Sequence, residues 1–384
     1  MNASASAGGF AYADDNAGAP VRPEAADAVA RALSVGGNPS SVHAAGRRAR
    51  AIVESAREAV AACVNARPEN VVFTSGATEA LHLALSAARA ATGGAVISAL
   101  EHDAVALQAP HVYGAPRIAA ATADGLIDLE DFAAQLAAVS APLAAVMLAN
   151  NETGAIQPVA RAAACVRERA GLLLVDAAQG IGRMRVDMAA LDASYLAVSS
   201  AKIGGPPGVG ALVLAPGAPF AITRLGGGQE RGRRPGTENV AGIAGFAAAC
   251  VAANAAQAAE ARRLAALRDA FEAGVRTLAP EAAIFAERAP RLPNTSLIAV
   301  PGVRAETALI ALDLDGVCAS SGAACSSGKV RASRVLAAMG VAEELARGAL
   351  RFSFGWASTE NDVAHCLRAL ETIIARAPAL RRAS

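Results

Sequence analysis

Short apolar runs, each closed by polar residues or glycine, alternate along this chain with Ala-rich stretches long enough to be helices. Val71–Thr74 is such a run, and Ser75-Gly76-Ala77-Thr78-Glu79 follows it into a helical stretch reaching about Ala90. Ala95–Ser98, Ala144–Ala149, Leu172–Val175, Tyr195–Ser199 and Gly210–Leu214 repeat the strand pattern. This alternation predicts an α/β fold, a mainly parallel sheet with helices on both faces. Beyond Gly245 the chain reads as helix from about Ala247 to Leu278, then as strands Ser296–Val300 and Ala349–Phe354, which predicts a smaller α+β domain. A length of 384 residues suits two unequal domains. We expect residues 1–15 to pack on the small domain, 16–255 to form the large domain, and 256–384 to form the small one.

Ligands of open α/β sheets bind outside the carboxyl ends of the strands. Thr78, Asn151, Asp176 and Lys202 all sit at such ends and are expected to converge on one crevice. Lys202 follows the apolar run Tyr195–Val198 and precedes Gly204-Gly205-Pro206-Pro207-Gly208. Taken alone, such a lysine is more often a surface-loop residue. If buried, its amine loses affinity for a proton and becomes able to form a Schiff base. Asp176 ends Leu172–Val175 and reads either as a helix N-cap or as the carboxylate partner of a pyridinium nitrogen. Strand–Asp followed by strand–Lys fits a pyridoxal-phosphate site. Ser75–Thr78 then supplies a phosphate cradle at a helix N-terminus, or else an ordinary capping turn.

Other residues gain meaning from that frame. His102 lies just past a strand, placed to stack on a ring and move protons or simply to satisfy a local hydrogen bond. Arg351 lies within a strand pattern and needs an anionic partner, a substrate carboxylate or a salt bridge. Cys325 sits in Ser320–Lys329, a stretch almost free of bulky side chains, where a thiol is expected to be exposed and able to swing between partners. The remaining cysteines read as packing, Cys318 included. Gly322…Gly328-Lys329 imitates a P-loop, but its spacing is one residue too long and Val330 replaces Ser or Thr.

Charge and composition narrow the function classes. Lys and Arg number 35 against 34 Asp and Glu, well mixed, so no basic face for nucleic acid is expected. No apolar run is expected to span a bilayer. The start, Met1–Gly9, lacks the basic and apolar regions of a secretory signal, and the six scattered cysteines form no C-x-x-C pair. These features lead us to expect a cytoplasmic protein, with free thiols and no zinc site.

The chain resembles the cysteine desulfurases of the NifS/IscS type, class-V members of the fold-type I pyridoxal-phosphate enzymes. The resemblance runs from Tyr12 to about Leu370. It is carried by Gly37–His43, Thr74–Glu79, Asn150–Gly154, Val175–Gln179, Gly226–Gly232, Arg234–Asn239 and Ser320–Lys329. It implies a seven-stranded, mainly parallel sheet and the cofactor pyridoxal 5'-phosphate on Lys202. It further implies phosphate contacts from Ala77 and Thr78 with Ser200 near the phosphate, a cofactor contact from Ser199, ring-hydroxyl contacts from Asn151 and Gln179, and Asp176 on the ring nitrogen. The resemblance also implies that His102 stacks on the ring and relays protons, that Arg351 and Asn151 grip the carboxylate of L-cysteine, and that Cys325 takes the sulfur as a persulfide for an acceptor protein. It implies too that Thr237 reaches the neighbouring site, and hence a homodimer. Two departures stand out. Ala201 replaces the histidine usual before the lysine, a loss expected to weaken cofactor binding by about 1–3 kcal/mol. Gly18-Ala19 stands where two threonines are usual. Aminotransferase or selenocysteine-cleaving chemistry, or a non-catalytic docking role, are the rival readings.

Overall fold

The computed structural model describes residues 10–321 and 333–381; Cys325 and most of its loop lie outside them. Thirteen strands are defined among these residues. The first eight are β1 (Ala11–Tyr12), β2 (Val71–Thr74), β3 (Gly94–Ser98), β4 (Arg117–Ala119), β5 (Pro142–Met147), β6 (Leu172–Asp176), β7 (Tyr195–Ser199) and β8 (Gly210–Leu214). The rest are β9 (Ala283–Ile284), β10 (Thr295–Ala299), β11 (Val317–Cys318), β12 (Ser320–Ser321) and β13 (Leu350–Ser353).

The large sheet has seven strands in the order β2-β8-β7-β6-β5-β3-β4. Only β8 runs against the others, pairing antiparallel with β2 and β7. Its central strands β5, β6 and β7 are buried except at Leu172, which opens β6, and this is why they read as continuous apolar runs. The strand period of two sorts their side chains. Leu143, Ala145 and Leu174 join the core beneath α3 (Ala77–Ala88), while Ala144, Val146 and Leu173 face the core built with α2 (Ala44–Cys63).

The second core belongs to the antiparallel sheet β12-β13-β10-β9 and the helix Glu360–Arg381. Phe271 packs there on Phe352 and Phe354, with ring centroids 4.5 and 5.8 Å apart. The N-terminal strand β1 pairs parallel with β11. From there the chain runs through Asp14–Ala17 toward the large sheet, since the main-chain N–H of Ala19 donates to the Ala201 carbonyl at 2.8 Å.

The helix Val240–Leu278 joins the two cores without a break at residue 255. It begins at Val240, earlier than the start near Ala247 expected from the sequence, and so takes in Gly242 and Gly245. Both are packing positions: a Cβ at Gly245 would lie 2.6 Å from Val29 Cγ2, and one at Gly242 would lie 2.5 Å from Val209 Cγ2. The Asn239 side chain caps the helix by accepting from the Gly242 N–H. The expectation that nothing here is apolar enough to cross a bilayer needs correction, since this helix is long and apolar enough by length and composition. Its Ala-rich start raises the hydropathy, and Phe246, Cys250, Leu267 and Phe271 are buried in the two cores.

Candidate active site

The strand ends of the large sheet bring most of the expected residues together. Asp176 closes β6 and is buried; its Oδ1 accepts from the Ala178 N–H at 2.9 Å. Burial pushes its carboxyl above the usual range, while the charges of nearby His102 and Lys202 pull it back. Lys202 ends a short 3₁₀ turn that follows β7. Its Nζ donates to the main-chain carbonyls of Asn16 at 2.9 Å and Ala17 at 2.6 Å. Burial, then the positive charges of Arg183 and Arg351, lower the amine to about 8 against the opposing Asp14 and Asp15. His102 caps the short helix Asp103–Ala106, its Nδ1 accepting from the Ala104 N–H at 3.1 Å, and its ring is exposed.

Gly76 opens the turn into α3 with φ of 155°, a backbone that suits glycine, and Ala77 and Thr78 begin the helix. Ser199 ends β7, Ser200 opens the turn that leads to Lys202, and both are buried. The Ser200 hydroxyl has no hydrogen-bond partner among the described residues. A Cβ at Gly205 would come within 2.2 Å of it, so glycine there leaves the hydroxyl its space.

Arg351, on β13, comes from the second sheet and is 3% exposed. It meets Asn151 through that residue's main-chain oxygen, at 3.0 Å from NH1. Its NH2 pairs with Asp14 at 2.7 Å, and its Nε is buried without a partner among the described residues. Thr237 is exposed just before the long helix, and none of the contacts above involves it. Cys325 lies outside the described residues.

The sequence reading missed the segment Asp14–Ala17, assigning its first part to packing. Asp14 pairs with Arg351, Asp15 with Arg183, and the Asn16 carbonyl accepts from both Gln179 and Lys202. The only signal was a polar run, Asp14-Asp15-Asn16, directly after a short apolar one.

Two buried carboxyls were missed as well. Glu101 accepts from the Met147 N–H at 2.8 Å through Oε1, and burial with Asp176 nearby raises it to about 8. Glu152 accepts from the Ser333 hydroxyl at 2.5 Å, and burial raises it to about 7. Between the unfolded value near 4.5 and about 8, folded Glu101 keeps a proton that the unfolded chain releases. Stability therefore falls as pH rises through that window. Glu101→Gln has no proton to release, so its urea stability should fall by about 1–3 kcal/mol less than wild type between pH 5.5 and 8. Equal slopes for both proteins would show that Glu101 is ionised in the folded state.

The class-V aminotransferase family profile matches residues 11–365. The chain belongs to the class-V aminotransferase family. Within it, a cysteine desulfurase of Cereibacter sphaeroides is 36% identical over 378 residues, covering 96% of this chain and 97% of that protein. The cysteine desulfurase IscS of Dictyoglomus turgidum is 36% identical over 372 residues, with 94% of each chain covered. The X-ray structure of a NifS-like protein from Rickettsia africae superposes with a TM-score of 0.89 at 30% identity, covering 95% of this chain and 99% of that one. This class-V chain is thus of the NifS/IscS cysteine desulfurase type, with the fold of the pyridoxal-phosphate enzymes of fold type I.

Proposed function

We propose that this cysteine desulfurase holds pyridoxal 5'-phosphate on Lys202 and moves the sulfur of L-cysteine to Cys325. The observation that carries the reading is the half-buried Lys202 amine, held close enough to the buried Asp176 carboxyl at adjoining strand ends for the two charges to act on each other. The residues present fit the cofactor. The buried, unpartnered Ser200 hydroxyl and the N–H groups opening α3 at Ala77 and Thr78 suit a phosphate, with Ser199 beside them. Asp176 suits a ring nitrogen, Gln179 and Asn151 a ring hydroxyl, and His102 the ring face.

When bound, the cofactor supplies an electron sink for the charge left on the substrate's α-carbon. The chain's own residues do the rest. Arg351, with Asn151, holds the substrate carboxylate, and Asp14 keeps the guanidinium in place before substrate arrives. Lys202 and His102 exchange protons with the substrate. The Cys325 thiolate attacks the substrate sulfur; the Cβ–S bond breaks as the S–S bond forms, Cβ takes a proton, and the products are L-alanine and the Cys325 persulfide. An acceptor protein then takes the outer sulfur, for iron–sulfur cluster assembly or thiolation.

We further propose a homodimer in which the exposed Thr237 reaches the phosphate of the neighbouring site. A cytoplasmic setting is supported by Cys63, Cys165, Cys250, Cys318 and Cys366, which are free thiols.

The test is an absorbance spectrum of the purified protein before and after L-cysteine, with alanine measured. Cys325→Ser should keep the cofactor band and lose sulfide and alanine production by at least about 100-fold. Undiminished sulfide release would remove Cys325 from this role. Amino transfer that depends on a keto acid would replace the whole reading with transamination.

A further inference from the structure

A buried ion pair whose charges bear on the Lys202 amine, but which has no binding or positioning role above, lies against Gln179. Arg183 NH2 donates to Asp15 Oδ1 at 2.6 Å, and the two side chains are each 5% exposed. The other arm of the guanidinium, NH1, donates to the Gln179 side-chain carbonyl at 2.9 Å and to its main-chain carbonyl at 3.2 Å. The Gln179 amide nitrogen in turn donates to the Asn16 carbonyl at 3.0 Å. Lys202 Nζ donates to that same oxygen at 2.9 Å, so the Gln179 and Lys202 nitrogens sit side by side.

A glutamine amide has two orientations of nearly equal shape, and its hydrogen-bond partners choose between them. Here Arg183 is the deciding partner, because a guanidinium is always charged and only donates. The reversed amide would set N–H against N–H at Arg183 and oxygen against oxygen at Asn16. We propose that Asp15 and Arg183 are positioning residues whose pair locks the Gln179 amide with its NH2 group turned toward the cofactor's ring hydroxyl. This rests on the reading of Lys202 and Gln179 given above. Asp15 is needed because a buried guanidinium without a counter-charge is costly. Gly355 leaves the carboxylate room, since a Cβ there would lie 2.0 Å from Asp15 Oδ2.

The test is a double-variant cycle on cofactor affinity. Apoproteins of wild type, Arg183→Met, Gln179→Met and the double variant are titrated with pyridoxal 5'-phosphate. The lysine-linked absorbance band gives Kd, and thermal unfolding of each apoprotein reports its fold. Arg183→Met should raise Kd about tenfold, and in the Gln179→Met background it should add less than about twofold, because its target is already gone. An unchanged Kd for Arg183→Met, or its full factor appearing again in the double variant, overturns the proposal. If Arg183→Met does not fold, Arg183→Lys takes its place in the same cycle. It keeps the charge but loses the two-armed grip, and the same coupling decides. A wild-type protein that forms no lysine-linked band overturns the functional reading as well, whereas a normal band with additive factors overturns only this inference.

Discussion

Lys202→Ala should leave a folded protein with no covalent hold on pyridoxal 5'-phosphate and alanine formation reduced by at least about 10³-fold. The side chain ends in a turn whose backbone bonds do not involve it: the Ile203 and Gly205 N–H groups donate to the Ser200 carbonyl. Removing the amine therefore costs two hydrogen bonds, to the Asn16 and Ala17 carbonyls, and little packing. Borohydride reduction followed by mass measurement should give a cofactor adduct on wild type and none on the variant, with similar thermal unfolding for both apoproteins. An adduct of normal yield on the variant would place the attachment elsewhere. The pH dependence of attachment gives a second check. With the amine lowered to about 8, the rate of adduct formation should rise with pH and level off above that value, because only the neutral amine attacks an aldehyde.

Arg57→Ala should destabilise the large domain by about 3–5 kcal/mol, the usual result of leaving one member of a buried ion pair alone. Arg57 NH1 and NH2 donate to the two oxygens of Glu230 at 2.7 and 3.0 Å, and the side chains are 3% and 2% exposed. The same carboxylate accepts from the Phe73 N–H at 2.9 Å, and Arg57 NH1 also donates to the Val71 carbonyl. One pair thus ties α2 to β2 and to the segment around Glu230, where Glu230 and Arg231 hold left-handed backbone with φ of 48° and 57°. That segment leads to Thr237, so loss of the pair should also weaken the proposed subunit contact. Urea unfolding of the apoprotein measures the first effect, and sedimentation at several concentrations the second. A change below about 1 kcal/mol would mean that water or another residue replaces Arg57 at Glu230.

The strand ends were legible in the sequence because burial on both faces of a parallel sheet demands uninterrupted apolar runs. A polar residue closing such a run, as Asp176 closes Leu172–Val175, marks the edge where ligands bind. β2, β7 and β8 were readable to the residue because each is buried along its whole length, whichever way it runs. The helix start at Val240 was not, because the close packing that Gly242 and Gly245 allow exists only in three dimensions. Nor was the work of Asp14–Ala17, whose partners Arg183, Lys202 and Arg351 lie more than 150 residues away in the chain.

By itself the sequence determined the longer strands of the large sheet and the polar residues that follow them, because strand period, apolar runs and turn residues act over a few neighbours. Tertiary structure alone decided which of those residues meet. It brought the N-terminal segment under Lys202, joined Arg351 to Asn151 by a main-chain oxygen, and set the amine and the buried carboxyls at shifted proton affinities. Proton affinity depends on burial and on charges from distant parts of the chain, and these exist only once the chain is folded.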